Sequence, residues 1–428
     1  MKWMRGALAA LLIAAASGGV VAAEPVCEGK DCMQLLVFGD PQPKSQQDVD
    51  YFALDIVASA MPQAKQSVAG ISLGDIVDDK PALYPAVKAA TQRLGIPWLY
   101  VAGNHDVDAG AKSDAESLRS FRKAFGKDTY LWKHDLVNVV VLDDVVVLPG
   151  KSPGYVGGLR EDQFKQLEHW LPTLPRDRLV ILAAHIPFFN ASTVPGRETF
   201  RPADRERLFT LLRPFPHVLL LSAHTHNQRH YFHRAREGWQ GEQPLHEYNV
   251  GAACGAFWSG AKDAAGIPDA MMSDGTPNGF ATLQVRRDGS YALAWHPARD
   301  TADTQIALHA PNVLRRGAYP AWGVYANVFM GYEGLRVEYR VDDGDWMPME
   351  RVAQPDPRLA AENVRDDAAD ALRSYDRSPE ATPSTHLWRG ALPTKLAAGE
   401  HAVEVRAFDP WRGEVLAKTT YRLDDVAP

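Results

Sequence analysis

The chain has 428 residues, 46 basic against 53 acidic, and a formal charge of −7. That balance excludes a general nucleic-acid binder, because phosphate backbones select basic surfaces. With 46% hydrophobic residues at this length, the chain can bury the cores of two domains.

Residues 1–23 read as a signal peptide rather than as fold. Lys2 and Arg5 give a positive start, Gly6 to Val21 is apolar or small, and Val21-Ala22-Ala23 meets the small-residue cleavage rule. The alternative is an uncleaved anchor, although the run is rich in Ala and Gly and barely long enough to span a bilayer. No later segment is apolar enough to cross one, so the mature chain is expected to be exported, periplasmic or secreted, with no transmembrane span. Cys27 and Cys32 are expected to pair as a small disulfide in that oxidising compartment. Cys254 reads as a buried, inert thiol.

Apolar runs bounded by turns follow at Leu35–Phe38, Val68–Leu73, Trp98–Val101, Val137–Leu142, Leu179–Ala184 and Val218–Ser222. Helical spacing lies between them near 49–60, 81–94, 113–125, 160–171 and 203–213. Strands alternating with helices predict an α/β layered core, in which ligands gather at the carboxyl ends of the strands. After residue 226 strands follow without helices, at Gln228–His233, Gly279–Val285 and Ser290–His296. Residues 236–279, with Trp239, Tyr248, Phe257 and Trp258, have the punctuation of a long-looped rim around a site. Phe188 and Phe189 are candidates for an apolar wall, and Lys151, Arg160 and Arg229 for phosphate contacts, with ordinary packing and solvation as the default for each.

Five segments stand at the ends of predicted strands: Gly39-Asp40-Pro41-Gln42, Gly74-Asp75-Ile76-Val77-Asp78, Gly103-Asn104-His105-Asp106, Ala184-His185 and Ala223-His224-Thr225-His226. Each alone also reads as a turn, a helix cap or a core histidine. Together they offer carboxylates, two amides and four imidazoles, the donor mixture of a two-metal hydrolytic centre. Two ions about 3.5–4 Å apart need an anionic bridge, and Asp75 is the best candidate. The donor types suit Mn, Fe or Zn, with Mn first. His105 sits too close to Asn104 for both to reach one ion easily, and reads as an acid above the site.

In order and spacing these motifs resemble the calcineurin-like metallophosphoesterases over about residues 33–297. The resemblance implies a layered α/β/β/α core at 24–297, with one metal on Asp40, Asp75 and His226 and a second on Asp75, Asn104, His185 and His224. Gln42 stands where the family usually has His, which disfavours an iron site there. It further implies that His105 protonates the leaving oxygen, with Asp78 and Asp106 orienting it. The expected substrate is a phosphorylated small molecule or an envelope phosphoester.

Residues 298–428 form a β-rich accessory region, with an immunoglobulin-like sandwich as one form it fits, around a polar stretch at 353–385. The rival function is a degenerate domain that binds an envelope ligand without turnover, favoured only by Gln42. A metal-independent acyl hydrolase is set aside for want of any Gly-x-Ser-x-Gly nucleophile segment.

Overall fold

The computed structural model describes residues 27, 29–152, 154–301 and 303–426. The expected leader at 1–23 lies outside the described residues. Among those described, no helix is long and apolar enough to cross a membrane. Cys27 and Cys32 are joined as a disulfide, and Cys254 is a buried free thiol.

In chain order the strands are β1 (Cys32–Phe38), β2 (Ser67–Leu73), β3 (Trp98–Val101), β4 (Tyr130–Lys133), β5 (Val137–Val141), β6 (Val145–Val147), β7 (Tyr155–Gly157), β8 (Leu179–Ala183), β9 (Val218–Ser222), β10 (Arg229–His233), β11 (Leu245–Asn249), β12 (Gly279–Arg286) and β13 (Tyr291–Pro297). The helices among them are α1 (Gln46–Phe52), α2 (Ala58–Ala64), α3 (Tyr84–Gln92), α4 (Arg119–Phe125), α5 (Glu161–Trp170) and α6 (Pro202–Leu212). One sheet runs β13-β12-β1-β2-β3, and the other β10-β11-β9-β8-β5-β4.

The alternation of side chains along a strand assigns the layers. Val137, Val139 and Val141 of β5, Ile181 of β8 and Leu219 of β9 share one core with Leu35, Val37 and Ile71 of the first sheet. Their neighbours Val140, Val180, Leu182 and Leu220 point the other way, into a second core with Phe164 and Leu167 of α5 and Leu208 and Phe209 of α6. Phe52, Val57 and Val87 close the outer face of the first sheet. The core is therefore the expected α/β/β/α stack.

Some elements depart from expectation. The helix expected at 113–125 begins at Arg119, after a short turn at Asp114–Glu116. The rim expected at 236–279 contains β11, a fully buried strand parallel to β9. Tyr248 is therefore core, as are Trp239 and Trp258, while Phe257 alone of those four is exposed. Phe188 and Phe189 are buried as well, and Arg160 is tied to Asp143 at 2.5 Å, so it is structural.

The C-terminal region has a four-stranded and a five-stranded sheet that share a core including Val324, Ala326, Val337, Tyr339, Val403 and Val405. The polar stretch carries α7 (Pro357–Asp367) and a long loop. This region is sewn to the first two sheets at Asp274, whose carboxylate accepts from the Gln228 amide at 2.9 Å and from His386 Nε2 at 3.1 Å. Phe329 and Met330 enter the main core.

Candidate metal centre

All five sequence segments leave the carboxyl ends of parallel strands (β1, β2, β3, β8 and β9) on one side of the stack. Gln42, Asp75, Asn104, His105, His224 and His226 line one pocket of about 320 Å³. Asp40 and His185 are fully buried beside them.

The backbone there is bent into an uncommon region. Asp40, Gln42, Asp75, His224 and His226 have φ of 37°, 40°, 46°, 71° and 52°, each costing about 1–3 kcal/mol. Glycine allows the turns to close on one another. A Cβ on Gly103 would lie 2.2 Å from the Asp75 carboxylate, and one on Gly74 would lie 2.5 Å from His185 Nδ1.

Hydrogen bonds then set where lone pairs point. His185 Nδ1 lies 2.8 Å from the carbonyl oxygen of Leu73. A carbonyl only accepts, so Nδ1 carries a proton, and Nε2 is the ring atom that can offer an electron pair once it is deprotonated. That Nε2 is 3.1 Å from Asn104 Oδ1, 3.2 Å from His224 Nδ1 and 3.3 Å from Asp75 Oδ2. His226 follows the same rule, with Nδ1 at 2.7 Å from the Gly255 carbonyl and Nε2 at 4.0 Å from Asp40 Oδ1. Gln42 Oε1 is buried without a hydrogen-bond partner among the described residues. Electron-pair donors that converge with few hydrogens among them fit divalent cations.

The buried carboxylates and rings also act on one another. Burial pushes the Asp40 carboxyl up to about 6, against the pull of His226 and His185. Burial also acts on Asp75, but the His185 ring overrides it and holds that carboxyl below its ordinary range. Burial opposes charge on His185, yet the carboxylates of Asp75 and Asp40 lift its ring to about 10. Burial and the His185 ring lower His224 to about 3.

His105 stands at the mouth, with Nδ1 3.2 Å from Asp78 and 3.1 Å from Asp79. Asp79 was not anticipated. Asp106, expected to orient His105, is engaged elsewhere: its carboxylate accepts from the amides of Gly103 and Ile76 and from the Tyr84 hydroxyl, at 2.8, 3.1 and 3.1 Å. It braces the loop instead, because a fully buried carboxylate must be hydrogen-bonded by what surrounds it. Asp144 was also missed; its Oδ1 accepts from the amides of His185 and Ile186 and fixes that turn. No motif marked it. Tyr155, Phe257 and Pro379 complete the pocket wall, and Pro379 comes from the C-terminal region.

Contrary to expectation, one Gly-x-Ser-x-Gly string is present. Gly70-Ile71-Ser72-Leu73-Gly74 does spell Gly-x-Ser-x-Gly. Ser72 nevertheless lies inside β2, buried, in register with Phe38 and Tyr100. A nucleophile elbow needs its serine on an exposed strand-to-helix turn, so the rejection of an acyl hydrolase rests on placement.

The family model for calcineurin-like phosphoesterase matches residues 33–228, and that for the C terminal of calcineurin-like phosphoesterase matches 247–414. The chain belongs to the calcineurin-like phosphoesterases. No curated protein matches by sequence. Among solved structures, it is similar to a purple acid phosphatase from yellow lupin (Lupinus luteus) seeds, at 14% identity and TM-score 0.46, over 65% of this chain and 53% of that one. The phosphoesterase thus spans about half the length of the lupin protein. A dimetal phosphatase from Danio rerio is similar at 13% identity and TM-score 0.43, over 63% of this chain and 98% of that one. A phosphopantetheinyl hydrolase from Mycobacterium tuberculosis is similar at 13% identity and TM-score 0.35, over 54% and 91%.

Proposed function

We propose that this phosphoesterase is an exported two-metal phosphatase or phosphodiesterase. One divalent ion would be held by Asp40, Gln42, Asp75 and His226, and the second by Asp75, Asn104, His185 and His224. The observation that carries the reading is the meeting of His185 Nε2 with Asn104, His224 and Asp75 at 3.1–3.3 Å. The mixed imidazole, amide and carboxylate set suits manganese first, then iron or zinc.

When bound, the ions would polarise a phosphoryl oxygen and acidify a water enough for attack at neutral pH. The remaining chemistry falls to the chain. Asp78 and Asp79 hold His105 by Nδ1, which leaves Nε2 to hand a proton to the departing ester oxygen. Tyr155, Phe257 and Pro379 confine the group attached to phosphorus. Export is supported by the apolar leader and by the Cys27–Cys32 disulfide. It directs the reading to envelope phosphoesters or scavenged phosphorylated small molecules.

Gln42 in place of an imidazole favours the second reading, a domain that binds such a ligand without turnover. The chelator-stripped full chain, reloaded with Mn, Fe or Zn, decides between them on a chromogenic phosphomonoester and its diester. Metal-dependent hydrolysis that Asp75→Asn abolishes supports the enzyme. Full metal occupancy with no hydrolysis of either ester sinks it in favour of the binder.

A further inference from the structure

β10 is the outer strand of the second sheet, so alternate N–H and C=O groups along it lack a strand partner. A cleft of about 300 Å³ runs along that edge and is closed on its far side by Tyr332 and Arg351 of the C-terminal region. Its lining differs in kind from the metal pocket. Arg229, Arg234, Arg236 and Arg351 all border it, whereas no lysine or arginine lines the metal pocket.

The charges in the cleft are only partly balanced. Arg236 pairs with Glu237, and Arg351 lies 3.9 Å from Glu333 while donating to the Thr385 carbonyl at 3.1 Å. Among the described residues, Arg229 and Arg234 have no carboxylate within 4 Å and no side-chain hydrogen bond. Arg229 is instead held by aromatic faces, 4.4 Å from the Phe189 ring centre and 5.2 Å from that of Tyr231. Stacking fixes a guanidinium in place and leaves its N–H edge free. Burial and the like charge of Arg351 act against its cation, while Tyr231 and the Glu247 carboxylate act for it. A half-buried cation with no carboxylate in contact carries a cost that a bound anion would lower.

We propose that this cleft is a second ligand site, separate from the metal centre, that binds a terminal phosphoryl group. The guanidinium fork matches phosphoryl oxygens bidentately. The volume exceeds that of a bare anion and sits at the small end of organic-ligand pockets, and Tyr231 and Tyr332 offer faces to the remainder of the molecule. The same chemistry serves free phosphate and a phosphomonoester.

Calorimetric titration of the metal-loaded full chain tests this, with inorganic phosphate and with methylphosphonate, whose C–P bond resists hydrolysis. Phosphate is expected to bind in two events. Asp75→Asn should remove one of them, and Arg229→Gln should weaken the other about 10-fold or more. Arg234→Gln, at an exposed position that leaves folding intact, should weaken that same event and steepen nothing in its salt dependence. Binding of both probes at the arginine event identifies an organic phosphate as the ligand, and binding of phosphate alone identifies the free ion. If Arg229→Gln and Arg234→Gln titrate as wild type and only Asp75→Asn changes binding, the proposal is overturned, and the arginines merely guard an open sheet edge.

Discussion

Gln42 donates from its amide nitrogen to Asp78 Oδ1 over 3.2 Å. A carboxylate only accepts, so this bond decides which end of the amide faces Asp78 and which remains free as a metal donor. The same Asp78 oxygen lies 3.2 Å from His105 Nδ1. One carboxylate thus positions a proposed ligand and the proposed acid. Asp78→Ala is expected to weaken metal binding about 10–100-fold and to lower turnover as well. Asp79→Ala should lower turnover alone. Metal content after dialysis against a chelator, measured beside turnover, separates the two.

His105→Ala should leave metal content unchanged and cut turnover by about 10²–10⁴-fold for an alkyl phosphoester, whose leaving group needs a proton. For a nitrophenyl ester the loss should nearly vanish. Equal losses on both substrates would remove His105 from the role of acid.

Gly103→Ala puts a methyl group 2.2 Å from both the amide nitrogen and the carboxylate of Asp75. The nitrogen is backbone and the carboxylate belongs to a buried side chain, so the loops must part. We expect a loss of about 1–3 kcal/mol in stability together with loss of bound metal. Gly154→Ala is the control: its nearest neighbour atom would be 4.0 Å away, and its effect should stay within about 0.5 kcal/mol. Thermal unfolding and metal analysis of both variants check this.

His246 is buried, touches His230 at 2.9 Å and the Tyr291 hydroxyl at 2.7 Å, and has its ring pushed down to about 3 by burial and by His233. The folded chain therefore keeps it neutral, while the unfolded chain protonates it below about pH 6.5. A depressed folded value means that its contribution is present above pH 6.5 and lost as pH falls toward 3. His246→Gln lacks that titration. Its deficit relative to wild type should shrink by about 1.4 kcal/mol per pH unit across this window. Denaturant unfolding of both proteins at pH 7 and pH 5 measures the difference, and a constant deficit would refute it.

Much of the centre was legible because its chemistry demands particular atoms at strand ends. Strands β1, β2, β3, β8 and β9 announce themselves as apolar runs, and each is followed by its donor. Asp79 escaped notice because it follows Asp78 directly, and only the left-handed backbone of Asp79, at φ 57°, turns its carboxylate to the same ring. β11 escaped for a different reason. Its sequence Leu-His-Glu-Tyr-Asn looks like loop, yet Glu247 is buried because His233, Ser222 and the Phe188 amide satisfy it at 2.7, 2.6 and 3.0 Å. Burial secured by partners distant in the chain leaves no local pattern to read. Asp106 misled for the converse reason, since its carboxylate is taken up by the Gly103 and Ile76 amides and the Tyr84 hydroxyl rather than by the adjacent His105 ring.

Pro379 reaches the wall of the metal pocket from the far end of the chain, and its loop is anchored by hydrogen bonds from Thr382 to Ser273. Every proposed metal donor lies before residue 227, so one part of the pocket wall, unlike the donors, is written in the C-terminal stretch of the gene. Recombination or drift in the C-terminal stretch can therefore reshape that side of the pocket while the donors are inherited intact.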